Sequence, residues 1–326
     1  MKTKSTKLLA RLYRWSRRPL PEKAATVTRR VHSVTHTEPR LGRALRAFKA
    51  RDPFGFRRLV FSSLAPEQEF AVATDGEERF LVMTSDQVIS RLLYTEGNIF
   101  LPRLYRVLEL LGPSFKLETL IDVGANIGIV SIPAVKRGLA RRAIAIEPEP
   151  RNFRLLLANI QLNGVADRFT AHNLALGAEQ EATLRLELGS DNSGDHRVRV
   201  NLTEGLFAEN ARETLDVRAT RFDDLFPDVD PSTSLIWMET QGYEGHVLRG
   251  ATRAVKAGVP VLAEFCPYMM ERTRGFESFR DAVGTYRRLY DVSQPEFGAL
   301  PATASTVDAL RKRLGETGGY TDVLLS

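Results

Sequence analysis

One cysteine, Cys266, stands among 326 residues, which excludes an intrachain disulfide and a cysteine-rich zinc site. A reducing compartment is thereby permitted. No apolar run approaches the roughly 18–20 residues needed to cross a bilayer. A secretory hydrophobic core is missing as well, because Arg11 and Arg14 interrupt Leu8, Leu9, Leu12 and Tyr13. Internal repeats and low-complexity tracts are also lacking. With 43% hydrophobic and 26% charged residues, the composition is that of a soluble globular chain, and a cytoplasmic location is expected.

The net charge of +6 is not evenly spread. Residues 1–51 hold 15 Lys/Arg against only Glu22 and Glu38, a net of +13, which leaves −7 on the remainder. An acidic body with a basic arm argues against a nucleic-acid partner, since a nucleic-acid-binding domain is expected to be basic. The arm reads as a flexible, solvated tail. Two alternatives are peripheral contact with an anionic membrane, Leu8, Leu12 and Trp15 inserted, and an Arg-rich transit peptide.

Three regions are expected: the basic arm 1–51, strands and helices over 52–116 packing on the core, and an α/β domain over 117–326. Residues 57–85 alternate loosely around Asp75-Gly76, the signature of a hairpin, and 86–111 carry helical spacing. From Leu117 the pattern becomes strand, turn, helix, repeated. Strands are predicted at 119–123, 143–146, 169–176, 234–239, 259–265 and 320–325, with helices near 127–138, 150–162, 245–257 and 276–289. Such alternation builds a parallel sheet covered by helices on both faces. Leu184, Leu186 and Leu188, then Val198, Val200 and Leu202, alternate with polar residues, so 183–202 reads as an inserted hairpin.

In an open parallel sheet, ligands bind beyond the carboxyl ends of the strands. The first strand there runs into Asp122-Val-Gly-Ala-Asn-Ile-Gly128, a turn with G-x-x-x-G spacing. Dinucleotide sites use G-x-G-x-x-G, whose middle glycine lets the backbone reach a pyrophosphate. Asn126 takes that place here, so an adenosine without pyrophosphate fits better. Glu147 ends the next strand, 23 residues after Gly124, where an acid accepts hydrogen bonds from ribose hydroxyls. Asp122 is placed to hold an amino group. An adenosine joined to an amino acid is S-adenosylmethionine.

Five stretches in one order then carry a resemblance. They are Ile121-Asp-Val-Gly-Ala-Asn-Ile-Gly128, Ile146-Glu-Pro-Glu-Pro150, Leu162-Asn-Gly164, Asn173-Leu-Ala-Leu-Gly177 and Glu239-Thr-Gln-Gly-Tyr-Glu-Gly-His-Val-Leu-Arg-Gly-Ala251. Residues 86–265 resemble an FkbM-type S-adenosylmethionine-dependent methyltransferase. The resemblance implies the class I, Rossmann-like fold: a mostly parallel seven-stranded sheet with one antiparallel strand near the end. It implies methyl transfer to a hydroxyl of a sugar, glycan, glycolipid or secondary metabolite. By position, Asp122, Gly124, Asn126 and Gly128 would cradle the methionine part, Glu147 the ribose, and Asn173 and Ala175 the adenine. The family usually reads Lys-Ile-Asp-Val-Glu-Gly where this chain reads Trp237-Met-Glu-Thr-Gln-Gly242, so the lysine and the second acid are replaced.

A hydroxyl acceptor benefits from a base within hydrogen-bond reach. Glu239 is the first choice, with binding of the cofactor's ammonium as its other role. Glu244 opens a helix, where capping is the alternative. His196, oriented by Asp195, is the third choice, against an ordinary polar turn. No convincing set of carboxylate metal ligands is visible. Two other classes remain open: a nicotinamide-dependent oxidoreductase and a non-catalytic interaction module. Nothing in the sequence sets an oligomeric state.

Overall fold

A computed structural model describes residues 38–326 apart from 65, 66, 202, 295 and 297. Of the basic arm, residues 1–37 lie outside the described residues, while Glu38–Arg51 form a helix. Among the described residues the chain divides into two compact units, which part between Asn98 and Ile99.

In the first unit a second helix, Pro53–Leu64, precedes the hairpin of β1 (Phe70–Asp75) and β2 (Glu78–Met83). Asp75 pairs with Glu78, so the expected Asp75-Gly76 turn closes it, with Gly76 at φ 58°. The small residues Ala71 and Ala73 face inward, while Val72 points out at 51% exposure. The helical stretch expected over 86–111 is broken. Ile89–Thr95 begins where Asp86 accepts hydrogen bonds from the N–H groups of Val88, Ile89 and Ser90. It stops before Gly97, at φ 90°, because the Asp75 carboxylate accepts from Asn98 N at 2.9 Å and draws the chain aside. A separate helix, Leu101–Leu111, opens the second unit.

That unit holds β3 (Thr119–Val123), β4 (Arg142–Ile146), β5 (Phe169–His172), β6 (Ala175–Gly177), β7 (Ala182–Glu187), β8 (Arg197–Val198) and β9 (Thr214–Arg221). β10 (Ser234–Met238), β11 (Val261–Phe265), β12 (Arg288–Asp291), β13 (Ala299–Pro301) and β14 (Thr321–Leu325) follow. The main sheet runs β13-β12-β14-β11-β10-β3-β4-β5. From β5 to β11 the neighbours are parallel, and β14 inserts antiparallel beside β11. This is the expected seven-stranded order with one short extra strand, β13. Every residue of β3, β10, β11 and β14 is buried, as helices on both faces require.

Two expectations are corrected. The third strand, read as 169–176, splits at Asn173-Leu174: β5 stays in the main sheet and β6 joins a second sheet ordered β6-β9-β7-β8. The hairpin over 183–202 is mostly not a hairpin. β7 pairs over its whole length with β9, and only Leu186 and Glu187 pair with β8. Leucines spaced two apart report a buried face, and β9 supplies the same partner face as a near neighbour would.

Candidate active site

Strand order reverses between β3 and β10, so the cleft outside their carboxyl ends is the place for a ligand. β3 leads into a loop with positive φ at Gly124 (87°), Asn126 (51°) and Gly128 (88°). The two glycines serve packing. A Cβ on Gly124 would lie 2.1 Å from the Glu239 carbonyl oxygen, and one on Gly128 would lie 2.5 Å from Ile132 Cδ1. Gly124→Ala is therefore expected to cost about 2–4 kcal/mol, combining a strained φ with backbone overlap. At Gly164, φ 66° with open space around it, the same change is expected to cost about 1 kcal/mol. Urea denaturation of the two variants checks the contrast.

Asn126 and Glu147 lock the loop. The Asn126 N–H donates to Glu147 Oε2 at 2.8 Å, and Glu149 N donates to Oε1 at 2.9 Å. The Asn126 amide reaches the Ser193 carbonyl at 2.8 Å, and Asn152 reaches the same oxygen at 2.9 Å. The loop after β7 is thus tied to the glycine turn. Burial pushes Glu147 up to about 8, against the two N–H groups, with Glu149 and Asp122 adding repulsion. Asp122, also buried, is pushed up to about 6, opposed by hydrogen bonding from Ser131. Its Oδ2 is buried with no hydrogen-bond partner.

Glu239 follows β10, partly buried, and burial raises it to about 7; Arg103 opposes the rise, while Asp322, Asp122 and Glu244 add to it. Glu264, one residue before the end of β11, accepts from Gln241 Nε2 at 3.2 Å. Asp322 of β14 binds Arg103 at 3.0 Å. Glu244 is completely buried and accepts from Thr240 N at 2.8 Å, closing the turn that starts its own helix. Burial sets it near 7. The structure places it as the cap of that turn, away from any open surface.

The Asp195–His196 arrangement does not form. The Asp195 carboxylate binds Arg197 and, at 2.6 Å, Arg212, while His196 Nδ1 accepts from Gly189 N at 3.0 Å. The loop is the polar turn of the simpler reading, because two guanidiniums outcompete one imidazole for the carboxylate. Asn173 donates to the carbonyls of Glu147 and Pro148, at 2.9 and 3.1 Å, and so braces the end of β4. Ala175 lies in the core of the second sheet, paired with Ala219. His246 stacks on Tyr243 and bonds the Thr273 carbonyl, a structural role. Trp237, at the replaced lysine, is buried within β10. Cys266 is buried, and burial raises its thiol to about 11, which leaves it unreactive. Among the described residues no cluster of His, Cys, Asp and Glu has the spacing of a metal site.

Arg103, Ser193 and Asp322 carry no local motif and were not legible in the sequence. Beside Gln241 opens a small pocket, its walls including Glu187, Arg197, Met269, Arg272 and Thr273. The raised acids give a pH dependence of stability. Asp122, Glu147, Glu239 and Glu244 hold their protons to about 6, 8, 7 and 7 in the folded chain, above their ordinary values of 3.8 and 4.5. Their stabilising contribution is complete below the unfolded values and is lost as pH rises through the folded ones. His172 and His246, lowered by burial, act oppositely below their ordinary 6.5. The melting temperature is therefore expected to fall from pH 6.5 to 8, read by thermal denaturation.

A family model described as the methyltransferase FkbM domain matches residues 122–297. A tRNA(Phe) (4-demethylwyosine(37)-C(7)) aminocarboxypropyltransferase from Pyrococcus horikoshii is 33% identical over 86 residues, 26% of this chain. The match spans only 29% of that relative's length. Among solved structures, P. horikoshii TYW2 in complex with MeSAdo is 17% identical, with 79% of this chain and 70% of that chain covered and a TM-score of 0.37. The methyltransferase FkbM from Methylobacillus flagellatus KT is 16% identical, with 86% and 60% covered and a TM-score of 0.35. Similarity that low in TM-score carries no argument. The sequence match to a tRNA-directed relative does correct one expectation, the exclusion of nucleic acid. Net charge averages over a surface, whereas a polyanion meets a local patch, so an acidic body is no bar to RNA.

Proposed function

The chain belongs to the FkbM methyltransferase family, and on that premise we propose that it moves the methyl group of S-adenosylmethionine to a hydroxyl of a sugar, glycan or related small molecule. The carrying observation is the buried, unpartnered Oδ2 of Asp122 at the switch point, one strand away from Glu147. A site crowded with carboxyls raised by burial suits a ligand that brings a cationic ammonium and hydroxyl donors. Asp122 takes the ammonium, and Glu147, with lone pairs left on both oxygens, accepts from the ribose. The bound cofactor supplies a methyl group already activated by its sulfonium. Glu239, just past the end of the strand beside Asp122, is assigned by this reading to the reacting end. The protein's task is alignment of the acceptor oxygen with the methyl group.

A second reading, an RNA acceptor, is favoured by the match to the tRNA-directed relative. Incubating the full chain with methyl-labelled cofactor and, separately, small sugars, glycolipids and bulk tRNA tests the two. Label in the sugar or glycolipid pools is the expected result; label confined to tRNA transfers the proposal to RNA. Peripheral contact with an anionic membrane belongs to the same reading, supported by the +13 charge of residues 1–51. Liposome co-sedimentation that survives deletion of residues 1–37 would remove it.

A further inference from the structure

β10, β11 and β14 lie side by side, and their register puts three acids in one line across the sheet. Met238 pairs with Ala263, so Glu239 and Glu264 come next in step, and Glu264 pairs directly with Asp322. Neighbouring strands lie about 4.8 Å apart, and residues at matched positions project from the same face. Facing Glu264 are Glu239, Glu244, Asp322 and Arg103, with Cys266 and Tyr320 nearby. Gln241 donates to its Oε2 at 3.2 Å. Arg103, the one guanidinium of this group, is already bound to Asp322 Oδ1. The other Asp322 oxygen and Glu244 Oε2 are buried without hydrogen-bond partners.

Four carboxyls around one guanidinium in a dry setting do not all ionise, because like charges at this spacing repel. Such a line holds a proton until a positive charge arrives, and the proton belongs to the group as a whole until a partner localises it. Glu264 is where repulsion converges: burial first, then Glu239, Glu244 and Asp322, raise it well above the ordinary carboxylate range.

We propose that Glu264 seats this proton and that its charge follows the charge of the cofactor: ionised against the sulfonium of S-adenosylmethionine, protonated beside neutral S-adenosylhomocysteine. The inference rests on the cofactor reading above. It balances the transfer step. As the acceptor oxygen bonds to the methyl carbon, the S–CH3 bond breaks and its electron pair returns to sulfur, so the sulfonium charge disappears. The acceptor's hydroxyl proton passes to the Glu264 carboxylate, and the net charge of the site is unchanged. Gln241 is the positioning residue. Its Nε2 holds Glu264 while its side chain lines the small pocket beside Met269 and Thr273.

Calorimetric titration of the full chain with each of the two ligands, at pH 7 in two buffers of different ionisation enthalpy, reads the protons released. S-adenosylmethionine is expected to release about half a proton or more beyond S-adenosylhomocysteine. Glu264→Gln is expected to bind both and to lose the difference. If that variant fails to fold, Gln241→Met serves: loss of the amide donor should move the pH of the half-maximal difference upward. Equal release by both ligands in the unaltered chain, a difference that survives Glu264→Gln, or an unmoved pH in Gln241→Met overturns the inference. No binding of either ligand removes the cofactor reading itself, and this inference with it.

Discussion

Glu147→Ala is expected to weaken S-adenosylmethionine binding by roughly 30- to 1000-fold, about 2–4 kcal/mol, since it deletes a buried acceptor and leaves buried donors unpaired. Two effects add. Hydroxyl donors of the ribose lose their acceptor, and the N–H groups of Asn126 and Glu149 lose theirs. The second effect loosens the glycine turn, because Asn126 holds its left-handed φ of 51° through that bond and through the Ser193 carbonyl. Glu147→Gln separates the contributions. It keeps the shape and one acceptor oxygen, so its affinity should fall between those of the alanine variant and the unaltered chain. Equilibrium binding of labelled cofactor gives the three constants, and thermal melts show how much of the loss is stability. Unchanged affinity in the alanine variant would remove Glu147 from the site.

The largest loss of stability is expected away from the cofactor, at Glu209. This completely buried carboxylate lies 3.2 Å from Arg197 Nη1, 3.4 Å from Arg272 Nε and 3.1 Å from the Tyr268 hydroxyl, and it accepts from Phe207 N at 2.9 Å. Burial alone would raise its pKa; the surrounding N–H groups, Arg272 and Tyr268 hold it below the ordinary value instead. Glu209→Ala removes the shared carboxylate of two guanidiniums that are only 6% and 11% exposed, leaving Arg197 with Asp195 and Arg272 with the Thr203 carbonyl. Breaking one side of such a network costs about 3–5 kcal/mol, whatever the intact network is worth. The urea midpoint should fall accordingly, and Glu209→Gln should fall less because one acceptor oxygen remains. Cofactor affinity of the folded fraction should stay within about twofold, since sites without shared partners behave additively. A loss below about 1 kcal/mol would show that water reaches these arginines.

What was legible in the chain were features governed by neighbours in sequence. The Asp75-Gly76 turn, the strand of Thr119–Val123 with its glycine loop, and Glu147 at the tip of β4 all follow from local chemistry. The split of the third strand at Asn173 was hidden, because Phe169 to Leu176 reads as one strand with no glycine or proline to break it. Its cause is the pairing of Ala175 with Ala219, far along the chain. The Asp195–His196 pair failed for a similar reason: Arg212, 17 residues away, takes the carboxylate. Arg103 reaches Asp322 across 219 residues, a contact that no spacing rule supplies. The glycines were legible, but their purpose was only partly so, since Gly124 makes room for the Glu239 carbonyl.

The central claim is that the turn after β3 holds a methyl donor and not a dinucleotide. Titrating the full chain at pH 7.5 with S-adenosylmethionine and, in parallel, with NADH tests it directly by calorimetry. One S-adenosylmethionine per chain and no heat from NADH is the predicted result. Saturable NADH binding with none for S-adenosylmethionine would contradict it.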